Sequence, residues 1–121
     1  MSKNGLRPFA HAWNGITATY RTERNFKIHL TFSLAAIALG IGMHLSASDW
    51  CWIALCIALV FVAELINTAI ESVVNLVSPA YHPLAKKAKD AAAGAVLIAA
   101  VFSLVVGGII FLPKLCRHFM I

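Results

Sequence analysis

The sequence predicts an all-α, polytopic membrane protein: an N-terminal amphipathic interfacial helix followed by three transmembrane helices. Three observations carry that prediction. Of 121 residues, 60% are hydrophobic and 12% charged, with a mean hydropathy of +0.81. A soluble domain carries roughly 25% charge, and a small one hides only about two-thirds of the surface its unfolded chain exposes. The apolar residues gather in three long runs joined by short polar connections, and all ten Lys and Arg residues fall outside those runs. Soluble globular, disordered and disulfide-scaffold classes are poor matches, and residues 1–121 read as one membrane domain.

Residues 1–27 form the interfacial region. From Pro8 to about Arg24, Phe9, Ala12, Trp13, Ile16 and Tyr20 recur at spacings of three and four, with Arg7, His11, Asn14, Arg21 and Arg24 largely on other faces. A basic helix with an aromatic apolar side suits the membrane interface, with simple anchoring as its plainest role. The first span, 28–45, has no charged residue over 18 positions, about 27 Å of helix against a hydrocarbon core of roughly 30 Å. His29 and His44 stand at its ends. The second span, 50–77, has 28 residues; at about 42 Å it exceeds the bilayer, so one end projects. Trp50 and Trp52 mark its other end as an aromatic anchor. The third span, 91–112, is uncharged and is followed by Pro113 as a stop.

Charge sets the expected orientation. Lys3, Arg7, Arg21, Arg24 and Lys27 precede the first span, and Lys86, Lys87 and Lys89 lie in the connection from Ser78 to Asp90; only Lys114 and Arg117 fall on the opposite side. The positive-inside rule then puts the N-terminus and second connection in the cytoplasm. The net charge of +5 reads as topology, not as a nucleic-acid surface, because no basic stripe is interleaved with aromatics. Cys51, Cys56 and Cys116 match no metal spacing and no disulfide framework. The N-terminal residues carry charge through Lys27 without a signal-peptide apolar region, which favours insertion by the first span.

The second span carries the chemistry. Glu64, Asn67, Thr68, Glu71 and Asn75 follow one another at i, i+3, i+4, i+7 and i+11, within roughly a 100° arc of one helix. Glu64 lies about 21 Å along the helix from Trp50, below the midplane, and Glu71 about 10 Å further on. A carboxyl at such depth costs roughly 2.5 to 3.5 kcal/mol on insertion, so it marks a functional site by default. The plainer alternative is interhelical hydrogen bonding, for which Asn or Thr would suffice. Glu64 is a candidate general base. Glu71 is better placed to hold a hard cation through oxygen, with Asn67 beside it. Lys89 and Asp90 directly precede the third span, where an acid suits a helix N-terminus; Lys86 and Lys87 suit topology and lipid headgroups. Neither a P-loop, a G-x-G-x-x-G run nor a protein-kinase motif occurs.

The block Ala63-Glu64-Leu65-Ile66-Asn67-Thr68-Ala69-Ile70-Glu71-Ser72, then Tyr81-His82-Pro83-Leu84-Ala85-Lys86-Lys87-Ala88-Lys89-Asp90 and Ala92-Ala93-Gly94-Ala95-Val96-Leu97, closely resembles the small integral-membrane prokaryotic diacylglycerol kinases and their undecaprenol kinase relatives. Ala12-Trp13-Asn14-Gly15 and Glu23-Arg24-Asn25-Phe26 match the same pattern, so the likeness covers nearly the whole chain. It implies a homotrimer in the bacterial cytoplasmic membrane that transfers the γ-phosphoryl group of ATP to a lipid hydroxyl with Mg²⁺. By the resemblance, Glu64 is the general base, Glu23 and Glu71 are metal-binding carboxylates on the nucleotide side, and Lys89, Asp90 and His82 face the nucleotide. Asn67, Trp13 and Ala93 stand in supporting or substrate positions. Asn75 replaces an Asp that many members carry. Ala93 replaces a serine of the diacylglycerol-preferring type, which leans the likeness toward undecaprenol. The rival expectation is a small proton- or ion-coupled transporter or channel subunit, where a membrane carboxyl is equally at home. Against that rival, no charged residue in the third span completes a path.

Overall fold

A computed structural model describes residues 7–120, so Lys3 and the rest of residues 1–6 lie outside the described residues. Four helices follow one another: α1 (Arg7–Thr22), α2 (Arg24–Gly42), α3 (Ala47–Val77) and α4 (Pro83–Met120). The described residues contain no strand, and α2, α3 and α4 are each long and apolar enough to cross a membrane. The all-α, three-span architecture matches the sequence expectation. α3 and α4 form the principal packed pair, α2 lies on α3, and α1 packs mainly on α2 with a lesser contact to α3.

The helix ends differ from the expected spans in ways that matter for the site. α2 begins at Arg24, four residues before the predicted start of the first span, and closes at Gly42, so His44 sits in the turn. There it adopts a left-handed backbone, φ 53°. α3 begins at Ala47 because the Ser46 hydroxyl accepts the Asp49 N–H at 3.1 Å and caps the helix. α4 begins at Pro83, whose fixed φ and missing N–H suit a first helical position. The basic connection is therefore largely helix, and Asp90 stands in its third turn, not at its N-terminus. Pro113 does not stop the chain: it lies inside α4, which runs 38 residues, about 57 Å. A proline is tolerated there because neighbouring groups re-satisfy the backbone it frees.

The α2–α3 turn closes over a small core of Leu45, Ile53, Ile110 and Phe111. A Cβ on Gly40 would stand 2.8 Å from both the Leu45 side chain and the Trp50 ring. Trp50 thus packs on Gly40 instead of serving only as an interfacial anchor, while Trp52 is about half exposed. Further along, the Ser103 hydroxyl donates to Ala99 O at 2.9 Å and reaches Cys56 O at 3.4 Å, tying α4 to α3. Small residues do not all serve packing within the chain. Ala91 and Ala95 are exposed, a Cβ on Gly107 would meet nothing within 4 Å, and one on Gly108 would meet only Leu112 of its own helix. Phe32, Ile98, Leu104 and Ile109 are likewise exposed, as suits helices whose outer faces meet lipid or other helices.

Candidate functional site

Three helices converge on Glu64. α1 ends when Glu23 turns extended (φ −107°, ψ 112°), its N–H still bonded to Thr19 O at 2.8 Å. This single residue separates α1 from α2 and sets the Glu23 side chain, half-buried, at their corner. Thr19, buried although it is not among the predicted apolar positions of α1, donates its hydroxyl to Gly15 O. One turn into α2, Phe26 is buried against Phe61 of α3, ring centroids 5.0 Å apart. Three residues beyond each of these rings stand His29 and Glu64, with His29 Nε2 at 3.2 Å from Glu64 Oε1.

Glu64 is only 3% exposed. The 3.2 Å separation from His29 is within hydrogen-bonding reach, yet the angle leaves Oε1 without a well-directed donor. One turn toward the C-terminal end of α3, Asn67 Nδ2 donates to Glu71 Oε1 at 3.3 Å. Asn67 Oδ1 and the Thr68 hydroxyl are buried without partners. Glu23 and Glu71 lie near enough for their charges to act on Glu64. The stripe read from the sequence is thus real over Glu64, Asn67, Thr68 and Glu71, whereas Asn75 is exposed. One oxygen each of Glu64, Asn67 and Thr68 is therefore buried on a single face of α3 without a matched donor or acceptor. Native interiors rarely leave such groups unpaired without a reason.

The remaining predicted residues are more dispersed. His82 precedes α4 and is exposed; its Nδ1 accepts the Leu84 N–H at 3.1 Å and its carbonyl accepts the Lys86 N–H. It caps α4 and leaves Nε2 outward. Asp90 pairs with Lys86 one turn away, both exposed, so Lys86 has a partner beyond topology. Lys89 is half-buried, and Trp13 and Ala93 are exposed. Among the described residues, no hydrogen bond or ion pair joins Lys89, Asp90, His82, Trp13 or Ala93 to the carboxylates. The described residues also contain no group of three or more His, Cys, Asp or Glu poised on a metal.

A cavity of about 440 Å³ opens between α2, α3 and α4, with His29 in its wall and Phe32, Cys56, Ser103, Gly107 and Gly108 along it. Its walls are nearly all apolar. His29 was legible in the sequence only as a histidine near the end of a span. Its meeting with Glu64 joins residues 35 positions apart on different helices, which no local pattern reports.

The model of the family described as "Prokaryotic diacylglycerol kinase" matches residues 10–111, a stretch that includes every candidate above. The chain is 50% identical over 110 residues to the undecaprenol kinase of Bacillus subtilis (strain 168), covering 91% of this chain and 89% of that protein. It is 47% identical over 116 residues to a diacylglycerol kinase of Synechocystis sp. (strain ATCC 27184 / PCC 6803 / Kazusa), covering 95% of this chain and 66% of that longer protein. To the diacylglycerol kinase of Escherichia coli (strain K12) it is 28% identical over 100 residues, 83% of this chain and 82% of that one. A three-span helical chain whose buried acidic stripe lies within the matched stretch belongs to the prokaryotic diacylglycerol kinase family.

Proposed function

We propose that this chain is a lipid kinase that moves the γ-phosphoryl group of ATP to the hydroxyl of a membrane lipid, undecaprenol in preference to diacylglycerol. Family membership sets aside the transporter reading. The observation that carries the mechanism is Glu64, a carboxylate buried on α3 and 3.2 Å from His29, which lines the apolar cavity. The preference for undecaprenol is supported by the 50% identity to the Bacillus subtilis protein and by Ala93 in place of a serine.

In this reading Glu64 accepts the proton of the lipid hydroxyl as its oxygen bonds to the γ-phosphorus and the bond to the bridging oxygen of ADP breaks. General-base assistance of this kind contributes roughly 10² to 10⁴ in rate. The remaining work is positioning and charge stabilisation. The apolar cavity beside His29 supports a lipid chain lying along α2, α3 and α4 with its hydroxyl at Glu64. Lys89 and Asp90 on α4, with His82 just before it, serve the nucleotide side, and Trp13 on the interfacial helix serves the acceptor.

A divalent cation fits these residues. Mg²⁺ takes hard oxygen ligands, usually one or two carboxylates together with substrate phosphates and water, so a ready-made cluster of three protein ligands is not required. Glu23 and Glu71 would hold it, and the unpaired Oδ1 of Asn67 adds a neutral oxygen to the same surroundings. Bound there, the ion offsets phosphate charge. The eight-to-two distribution of basic residues supports a cytoplasmic N-terminus and nucleotide side in the bacterial inner membrane. Exposed apolar faces and the small exposed residues Ala91 and Ala95 support assembly of three copies.

The test is direct. Purified protein in detergent, given radiolabelled MgATP with undecaprenol and diacylglycerol in competition, should phosphorylate both, undecaprenol faster. Product from neither lipid by folded protein would overturn the function; faster diacylglycerol phosphorylation would reverse the preference.

A further inference from the structure

We infer that His29 is a positioning residue for Glu64: from α2 it presents an Nε2–H to Oε1, holding the carboxylate so that its second oxygen faces the lipid hydroxyl. The inference deepens the lipid kinase reading and rests on it. Glu64 extends from α3 on three rotatable bonds into a pocket where its own helix supplies no hydrogen-bond partner. Asn67, one turn away, is already committed to Glu71 at 3.3 Å. The imidazole of His29, on the neighbouring helix, stands 3.2 Å from Oε1.

The stretch of α2 that carries His29 is itself well anchored. Phe26, one turn earlier, is locked against Phe61, and the backbone carbonyl of His29 accepts the Ser33 hydroxyl at 2.7 Å. The ring also contributes to the wall of the apolar cavity, so one side chain touches both the space proposed for the lipid and the base proposed to act on it. The contact is off the ideal angle, and catalytic hydrogen bonds of this kind tighten when the reactants bind. A small misplacement of a reacting group costs up to about a hundredfold in rate, so a carboxylate free to rotate would be a poorer base even with the rest of the site intact.

Three variants of the full chain test the idea: His29→Phe and His29→Leu fill the space without a donor, and His29→Gln returns an N–H close to the place of Nε2. Folding is checked by thermal unfolding and gel filtration. The Phe and Leu variants should lower kcat on the order of tenfold to a hundredfold with the KM for MgATP unchanged. Gln should recover most of the loss. In a Glu64→Gln background none of the three should lower the residual rate further. Wild-type kcat in Phe or Leu, a Gln variant as impaired as both, or an equal further loss in the Glu64→Gln background would overturn the inference. Wild-type protein runs in the same assay. Its failure to make product breaks the lipid kinase reading, whereas normal wild-type turnover with indifferent His29 variants breaks this inference alone.

Discussion

The two ends of the helix bundle handle polar and apolar groups in opposite ways. At the α2–α3 turn, Gly40 admits the Trp50 ring, Leu45 and Ile53 close on Ile110 and Phe111, Ser46 caps α3, and Asp49 stands 3.8 Å from Lys114. Here charges sit at the edge and the interior is filled with hydrocarbon. At the other end, Glu64 is buried without a well-directed donor, and Asn67 Oδ1 and the Thr68 hydroxyl have no partner. Buried polar groups are expensive unless hydrogen-bonded. The first end is built to hold the helices together, and the second retains unmatched polarity that a substrate or ion can satisfy.

Glu64→Gln breaks this contrast most sharply. It should lower turnover by roughly 10² to 10⁴ while leaving thermal stability unchanged or raised, because the carboxyl it replaces is buried without a well-directed donor. A variant that unfolds at lower temperature and keeps its specific activity would move Glu64 to the structural side. Glu71→Gln comes next. Losing one charged oxygen partner is worth about 1.5 to 3 kcal/mol, which corresponds to a rise of about tenfold to a hundredfold in the Mg²⁺ concentration for half-maximal rate. A magnesium titration at fixed ATP measures it, and an unshifted midpoint would remove Glu71 as a ligand.

At the opposite end the signs reverse. Gly40→Val drives methyl groups into Leu45 and Trp50 and should destabilise by about 1 to 3 kcal/mol, seen as a lower thermal midpoint, with specific activity of the folded fraction preserved. Loss of activity without loss of stability would link this end to catalysis. The smallest effect belongs to Lys114→Met. A partly exposed pair at 3.8 Å from Asp49 is worth about 0 to 1 kcal/mol, so both the thermal midpoint and the rate should stay close to wild type.

The residues differ in how far the linear chain reveals them. Glu64, Asn67, Thr68 and Glu71 were legible because helical periodicity is local: their spacing alone puts them on one face, and the surrounding apolar run makes their presence costly. Asn75 shares that face but lies beyond the buried part of α3, which periodicity does not register. Glu23 carried no local signal, since an acid between basic residues reads as surface until the chain bends at that residue and half-buries it. The apparent stop at Pro113 misled because a proline ends a helix in water more readily than in a packed membrane bundle.

The sequence by itself determined the class, the three spans, the sidedness of charge and the acidic stripe, because burial in lipid and helical repeat act on neighbouring residues and on composition. Only the tertiary structure decided that His29 meets Glu64, that Glu23 joins the same acidic surroundings, that His82 caps α4, and that Trp50 closes on Gly40. Each of these depends on how helices distant in sequence pack, and packing is set by many side-chain contacts at once. A periodicity along one helix shows which face is polar; it does not show what stands opposite.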